Sequence, residues 1–168
     1  GLLVVVLDLP LLGWDVLPDV VGYIWLVVGL AGATHMAFVR VRAAAAAGVP
    51  VALVTGTPLF VGQDGLIWGA VFIEILLTVL ILHQLATAIS DLAPEGDQDA
   101  RRWARAIRIG APAAGLVRLV GLVGLSTSVG ALYALGYLGL VAVGIITVVL
   151  LHRVNRAGWL DLAEPDPV

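Results

Sequence analysis

Residues 65–89 read GLIWGAVFIEILLTVLILHQLATAI and contain one acidic residue, Glu74, and no arginine. An apolar run of this length matches the roughly 17–25 residues that a helix needs to cross the hydrocarbon core of a bilayer. A helix also pairs its backbone N–H and C=O groups internally, which a segment surrounded by lipid has to do. The stretch therefore predicts a transmembrane helix.

The rest of the chain has the same character. Of its 168 residues, 61% are hydrophobic and 12% are charged, and the mean hydropathy is +1.07. A soluble domain carries roughly 25% charged residues, so the polar residues here are too few to cover a globular surface. We predict an integral membrane protein with a single transmembrane domain over residues 1–153 and a polar cytoplasmic tail over residues 154–168.

Five further apolar segments lie before and after residues 65–89, which form the fourth of six segments in chain order. They cover residues 1–12, 18–33, 41–61, 107–125 and 129–151. The first amounts to about 18 Å of helix, which is too short to cross a bilayer. Because the chain does not begin with methionine, we expect residues upstream of Gly1 to complete that span. The predicted fold class is all-α, a polytopic transmembrane helical bundle of five or six spans.

The residue types that are missing argue against several chemistries. All basic residues are arginine and there is no cysteine, which excludes a lysine Schiff base, thiol catalysis and cysteine-ligated metals within these residues. No HExxH, GxSxG or Walker motif is present, and His35, His83 and His152 have no local metal-site spacing. We predict no metal, no cofactor and no nucleic-acid partner. The sequence does not decide whether the protein is an enzyme, and it favours a non-enzymatic function.

The arginines predict how the helices are oriented. They lie between the second and third segments, between the fourth and fifth, and after the sixth, and these joints share one side of the membrane. Of the nine, Arg118 alone does not follow this pattern. The positive-inside rule makes the arginine-rich side cytoplasmic and places both termini there.

Residues 91–108, DLAPEGDQDARRWARAIR, form a long cytoplasmic loop in this topology. Pro94 and Gly96 end the preceding helix, and Asp97 or Asp99 can cap a new one. Further along, apolar and arginine side chains fall on different faces of a helix. The apolar face carries Ala100, Trp103, Ala104 and Ile107. We predict one short interfacial amphipathic helix that lies on the anionic headgroups of the inner leaflet.

Glu74 and Arg118 are the candidate intramembrane ion pair. At 1.5 Å per residue, Glu74 lies about 14 Å from the outer end of its span and Arg118 about 16 Å from the inner end of the next. We therefore expect both near the midplane on neighbouring antiparallel helices. The favoured interpretation is a buried pair that fixes helix packing. The alternative is a gated pair on an ion or proton pathway, in which Glu74 changes protonation.

Asp15, Asp19 and Tyr23 form a candidate polar cluster at the outer end of the second segment. They follow one another at intervals of four residues and so share a helix face. The helix dipole favours carboxylates at this end, and Pro18 suits a first turn because it has no N–H. Capping of the helix explains these residues, and a cation-binding or catalytic role is the alternative.

Small residues predict where helices approach one another closely. The candidate packing residues are Gly22, Gly29, Gly32, Gly65 and Gly69, and the last two form a GxxxG step. Further small residues, including Gly115 and Gly121, thin the fifth segment. Such contacts form within one chain or between chains, so a homo-oligomer is among the expected states.

The stretch LPDVVGYIWLVVGL, residues 17–30, resembles a helix start found in small multi-spanning membrane proteins of Gram-positive bacteria. The shared pattern is Leu-Pro-Asp, an apolar pair and Gly-Tyr, after a short first span. The resemblance implies a multi-pass protein of the bacterial cytoplasmic membrane. It implies no particular activity.

Three classes of function fit these observations. The leading hypothesis is a non-enzymatic packing or partner subunit of a membrane assembly, with a membrane-protein partner or a second copy of the chain. The alternative is a small transporter or channel for an ion or small solute that uses Glu74 and Arg118. A lipid-modifying membrane enzyme comes third, because no nucleophile–base pair or metal set is expected on one side of the bilayer.

Overall fold

A computed structural model describes residues 16–56, 60, 62–94, 96–123 and 127–156. In these residues the chain forms α-helices and no strand. The helices are α1 (Val16–Gly29), α2 (Met36–Gly56), α3 (Asp64–Leu92), α4 (Gln98–Val123) and α5 (Thr127–Arg156). The last four are long and apolar enough to cross a membrane, so the protein is a helical bundle of the integral membrane class, as predicted. The predicted first segment and most of the polar tail lie outside the described residues.

Consecutive helices pack against each other, and α3 also touches α5. The ring of Tyr23 on α1 packs against Gly48 on α2, and Val79 on α3 packs against Gly115 on α4. Five of the ten largest fully buried side chains of the described residues, among them Ile81 and Leu85, lie on α3, which is the helix with the most neighbours. The core of the bundle therefore runs along α3.

Polar contacts join the helix ends on one side of the bundle. His35, before α2, lies 3.8 Å from the carboxylate of Asp91 near the end of α3. Arg153 in the last turn of α5 donates to Oδ2 of Asp97, before α4, at 2.8 Å. These contacts place the arginine-bearing joints at the same end, which is the segregation that the sequence predicts. We call it the arginine-rich end.

The amphipathic segment is helical, but the structure differs from the prediction in its partner. Asp97 caps the helix, since its Oδ1 accepts a hydrogen bond from the backbone N–H of Ala100 at 3.0 Å. The helix then continues from Gln98 to Val123 as α4. Ala104 and Ile107, on the predicted apolar face, are buried in a cluster with residues of α3 and α5. Apart from Trp103, which is 50% exposed, that face is covered by protein because the neighbouring helices extend alongside it.

α4 continues through a proline at a point where it contacts α3. Pro112 lies inside α4 and has no N–H, so the carbonyl oxygen of Arg108 loses its helical partner. Nδ1 of His83 lies 3.3 Å from this oxygen and can donate to it in the tautomer that carries the proton on Nδ1. His83 thus replaces the missing backbone donor and ties α3 to α4.

Candidate intramembrane polar site

Arg118 lies in the interior of the bundle, on the apolar half of α4, and is 8% exposed. Its Nη2 donates a hydrogen bond to the hydroxyl of Tyr133 at 2.9 Å. Its Cζ lies 5.0 Å from the ring centroid of Tyr133 and 5.1 Å from that of Tyr137. A cation over an aromatic ring contributes about 0.5–1 kcal/mol of stabilisation at an exposed site and about 2 kcal/mol when the pair is desolvated. The guanidinium is therefore held by two rings of α5 and a phenolic oxygen.

Two glycines bring α4 and α5 together around this arginine. A Cβ at Gly136, between the two tyrosines, would lie 2.6 Å from Cα of Arg118. A Cβ at Gly121, one turn beyond Arg118, would lie 2.6 Å from Cα of Tyr133. Any larger residue would push the two backbones apart. Because Tyr133 and Tyr137 are one turn apart on one face of α5, this close approach places the guanidinium beside both rings.

Glu74 is half-buried on α3, and its depth follows from the α3–α4 contact. Val79 packs against Gly115, and the two helices are antiparallel. Counting outward from this contact at 1.5 Å per residue, Glu74 and Arg118 differ in depth by about 3 Å, less than one helical turn. The depth relation agrees with the predicted pairing near the midplane. The ion pair itself stays a prediction.

The predicted cluster of Asp15, Asp19 and Tyr23 is partly described. Asp19 lies in the first turn of α1 and is 6% exposed. Tyr23 is fully buried, and a Cβ at Gly48 would lie 2.6 Å from Cζ of its ring. Both side chains therefore face the inside of the bundle, and Asp15 lies outside the described residues. The place of Asp19 suits a carboxylate near a helix N-terminus.

The predicted packing glycines fall into two groups. Gly22 is buried. At Gly29, Gly32, Gly65 and Gly69, no heavy atom of the described residues lies within 4 Å of the position that a Cβ would take. The second group is thus not used for helix packing in the described part of the chain. A role in contacts with another chain stays a prediction.

Some residues of the site are missed by sequence reasoning. Gly136, Tyr133 and Tyr137 surround Arg118, yet nothing in their segment marks them as its partners. The signal that is present is the spacing of two tyrosines four residues apart within an apolar span, which puts both rings on one helix face. To use this signal, one needs the register of α4 against α5, which the sequence pattern does not contain.

Chemically, the site offers a fixed positive charge held among aromatic rings, with Glu74 at nearly the same depth. Within the described residues, no three His, Asp or Glu side chains lie close enough together to hold a metal ion. The buried polar residues of this part of the chain include Thr78 and Thr147, and the Thr147 hydroxyl donates to the carbonyl of Val143 in its own helix at 2.8 Å. The arrangement fits a structural or ion-interacting role.

Comparison with protein-family models, with curated proteins and with solved structures finds no match to this chain. The resemblance of residues 17–30 to small multi-spanning membrane proteins of Gram-positive bacteria stays a prediction. The function therefore has to be inferred from the geometry of the bundle itself.

Proposed function

We propose that the protein is a non-enzymatic subunit of a larger membrane assembly. Its packing surface is a groove between α2 and α3, at the end opposite the arginine-rich one, with a volume of about 320 Å³. We call it the α2–α3 groove. It is lined by Pro50, Val51, Val54, Gly65, Leu66, Gly69, Ala70 and Ile73. The localisation proposed with it is a bacterial cytoplasmic membrane, with the arginine-rich end facing the cytoplasm.

The open GxxxG step in this groove is the observation that carries the proposal. Gly65 and Gly69 lie one turn apart on α3, with open space where a Cβ would be. Leu66 and Ile73 beside them are 45% and 46% exposed. A transmembrane helix can bring its backbone close to such a step and gain van der Waals contact along its length. A helix of a partner protein therefore fits this groove.

The surroundings of Arg118 support the non-enzymatic part of the proposal. Its guanidinium is enclosed by Tyr133 and Tyr137, and the backbones of α4 and α5 touch at Gly136. A charge in this position holds two helices together. It is poorly placed to act on a substrate that arrives from water or from lipid.

The test is the size and content of the particle extracted in a mild detergent, with Gly69→Leu as the disrupting variant. The control is Gly130→Leu, since Gly130 on α5 is also exposed and has open space around it. We expect wild type and control to remain in an assembly, by native mass spectrometry, and Gly69→Leu to dissociate from it. If only this chain is present in the particle, the partner helix comes from a second copy.

Cross-linking in native membranes tests the same surface without extraction. The chain has no cysteine, so a single Leu66→Cys variant carries one reactive thiol in the α2–α3 groove. We expect a thiol-attached benzophenone, which reacts with C–H bonds on illumination, to join it to a neighbour, and Leu116→Cys, on the exposed side of α4, to give much less product. A lone monomer in both experiments, or equal behaviour of variant and control, would refute the proposal.

A second candidate is a small transporter or channel, favoured by the placement of Arg118. An ionisable side chain buried at membrane depth is a functional candidate by default, and Glu74 lies at nearly its depth. In proteoliposomes, a transport role predicts an ion or solute flux above that of empty vesicles. The flux should be lost in Glu74→Gln at unchanged thermal stability. No flux across a panel of monovalent ions and protons removes this candidate.

A further inference from the structure

A second groove lies between α4 and α5, at the arginine-rich end. Its lining residues are Trp103, Ile145, Ile146, Val149, Leu150 and Arg153, and its volume is about 290 Å³. Val149 in its floor is 64% exposed and Trp103 on its wall is 50% exposed. We call it the α4–α5 groove. The groove is apolar along its length and has one cationic side chain, Arg153, at one end.

The groove residues follow one another in a definite order along the helix axes. Gly110 on α4 lies opposite Val143 on α5, since a Cβ at Gly110 would lie 3.4 Å from Cγ2 of Val143. Counting from this contact in antiparallel helices, Trp103 is level with Leu150. Arg153 lies about 4.5 Å closer to the helix end, at 1.5 Å per residue. The order from the bilayer interior outward is aliphatic, aromatic and cationic.

That order matches the parts of a phospholipid in the same leaflet. Acyl chains occupy the depth of aliphatic side chains, tryptophan is enriched at the level of the glycerol and carbonyl groups, and arginine reaches the phosphates. A sterol has no anionic group for the cationic end, and a free fatty acid has no glycerol region to pack at the level of Trp103. The order of the lining residues therefore fits a lipid with a phosphate above its chains.

The cationic end is both oriented and accessible. Nη2 of Arg153 donates to Oδ2 of Asp97 at 2.8 Å, while the arginine side chain remains 51% exposed and the aspartate 18% exposed. Guanidinium has five N–H donors, so Asp97 occupies part of the fork and leaves the rest facing outward. Arg156 lies one turn further on α5 and is exposed. A phosphodiester can therefore accept hydrogen bonds from the N–H groups of Arg153 that Asp97 leaves free and from those of Arg156.

We propose that the α4–α5 groove binds one anionic phospholipid of the leaflet at the arginine-rich end. The phosphate accepts hydrogen bonds from Arg153 and Arg156, the glycerol region packs against Trp103, and an acyl chain lies on Ile145 and Val149. Anionic lipids are favoured over zwitterionic ones because Arg153 and Arg156 repel the ammonium group that a zwitterionic headgroup carries beside its phosphate. The site is separate from the α2–α3 groove, so its failure would not affect the proposed function.

The experiment measures quenching of Trp103 by brominated lipids in vesicles. The full chain carries Trp103 as its single tryptophan, with the others replaced by Phe. Brominated phosphatidylglycerol or brominated phosphatidylcholine is mixed at equal mole fraction into unbrominated phosphatidylcholine. We expect brominated phosphatidylglycerol to quench more strongly at low mole fraction, with an apparent preference of at least about fivefold.

Two variants and one control separate a built site from general surface charge. Arg153→Gln should reduce the preference to near unity. Val149→Trp is read by native mass spectrometry of retained phosphatidylglycerol; it fills the groove, leaves the Arg153–Asp97 bridge intact, and should lower lipid retention. The control Arg102→Gln removes an exposed arginine of α4 that does not line the groove, and should change the preference by less than twofold.

Three results would overturn the proposal. The first is equal quenching by the two brominated lipids in the wild-type background. The second is an equal loss of preference in Arg102→Gln and Arg153→Gln, which would show an effect of overall charge. The third is unchanged lipid retention in Val149→Trp.

Discussion

Replacing Gly136 by alanine adds one methyl group where α4 and α5 are closest. A Cβ there would lie 2.6 Å from Cα of Arg118 and 2.7 Å from its Cβ. Neither atom can move by a change of side-chain rotamer, so the two backbones have to separate. The separation would also withdraw Arg118 from the rings of Tyr133 and Tyr137.

The expected cost follows from these contacts. Overpacking in a well-packed core destabilises by about 1–3 kcal/mol, and a weakened hydrogen bond and cation–π contact add about 1–2 kcal/mol. Alanine offsets part of this through its helix propensity, by about 1 kcal/mol. We therefore expect Gly136→Ala to lower the free energy of unfolding by about 1–4 kcal/mol.

The measurement is reversible unfolding in mixed micelles of dodecyl maltoside and SDS, followed by far-UV circular dichroism and tryptophan fluorescence. Gly130→Ala is the matched control, since Gly130 is on the same helix and a Cβ there meets no heavy atom of the described residues. The control should be as stable as wild type or more stable by up to about 1 kcal/mol. If Gly136→Ala behaves like the control, α4 and α5 do not touch at Arg118 as described.

Two further predictions use the same unfolding assay. His83→Ala should lower the free energy of unfolding by about 1 kcal/mol in the wild-type background and by almost nothing in a Pro112→Ala background. The reason is that alanine at position 112 restores the N–H that pairs with the carbonyl of Arg108. Additive effects in this double-mutant cycle would contradict the contact. Tyr133→Phe keeps the ring but removes the acceptor of the Arg118 hydrogen bond, so it should lower the free energy of unfolding by about 1.5–3 kcal/mol. Tyr133→Leu also removes the ring and should lower it further. Equal losses in the two variants would show that the ring contributes nothing.

The spans are predictable from the sequence because the bilayer imposes a single demand on each of them. Residues 65–89 form α3, which runs from Asp64 to Leu92, as their length and apolar character predict. The separation of the arginines from the other end also follows from composition alone. Both properties are local, since each span meets the same hydrocarbon thickness whatever its neighbours are.

The partner of an apolar face is not a local property, and α4 illustrates this. The helical spacing of its apolar residues correctly places Ala104 and Ile107 on one face. The spacing does not say whether lipid or protein covers that face, because both are apolar. The extension of α5 to Arg156 provides a protein partner, with Val154 fully buried in the shared cluster. α4 also continues through Pro112, where His83 lies within hydrogen-bond distance of the carbonyl that the proline leaves unpaired.

The depth of Arg118 is predictable for the same reason as the spans, and its partners are not. They depend on the register of α4 against α5, which is determined by where the backbones can touch. A slip of α5 by one turn would bring Leu132 or Leu140, instead of Gly136, opposite Arg118. The leucine side chain would prevent the close approach, and the guanidinium would lose at least one of its rings.

Arg118 therefore contributes specificity to the α4–α5 pair. In lipid, the apolar faces of two helices gain little from one register over another, because acyl chains solvate them about as well. An arginine at this depth is costly unless it has polar or aromatic partners, so every register without Tyr133 and Tyr137 beside it is disfavoured. Gly121 and Gly136 make the same register the most closely packed one. Charge and packing thus select a single arrangement of this pair, while the GxxxG step of the α2–α3 groove stays open within the described residues.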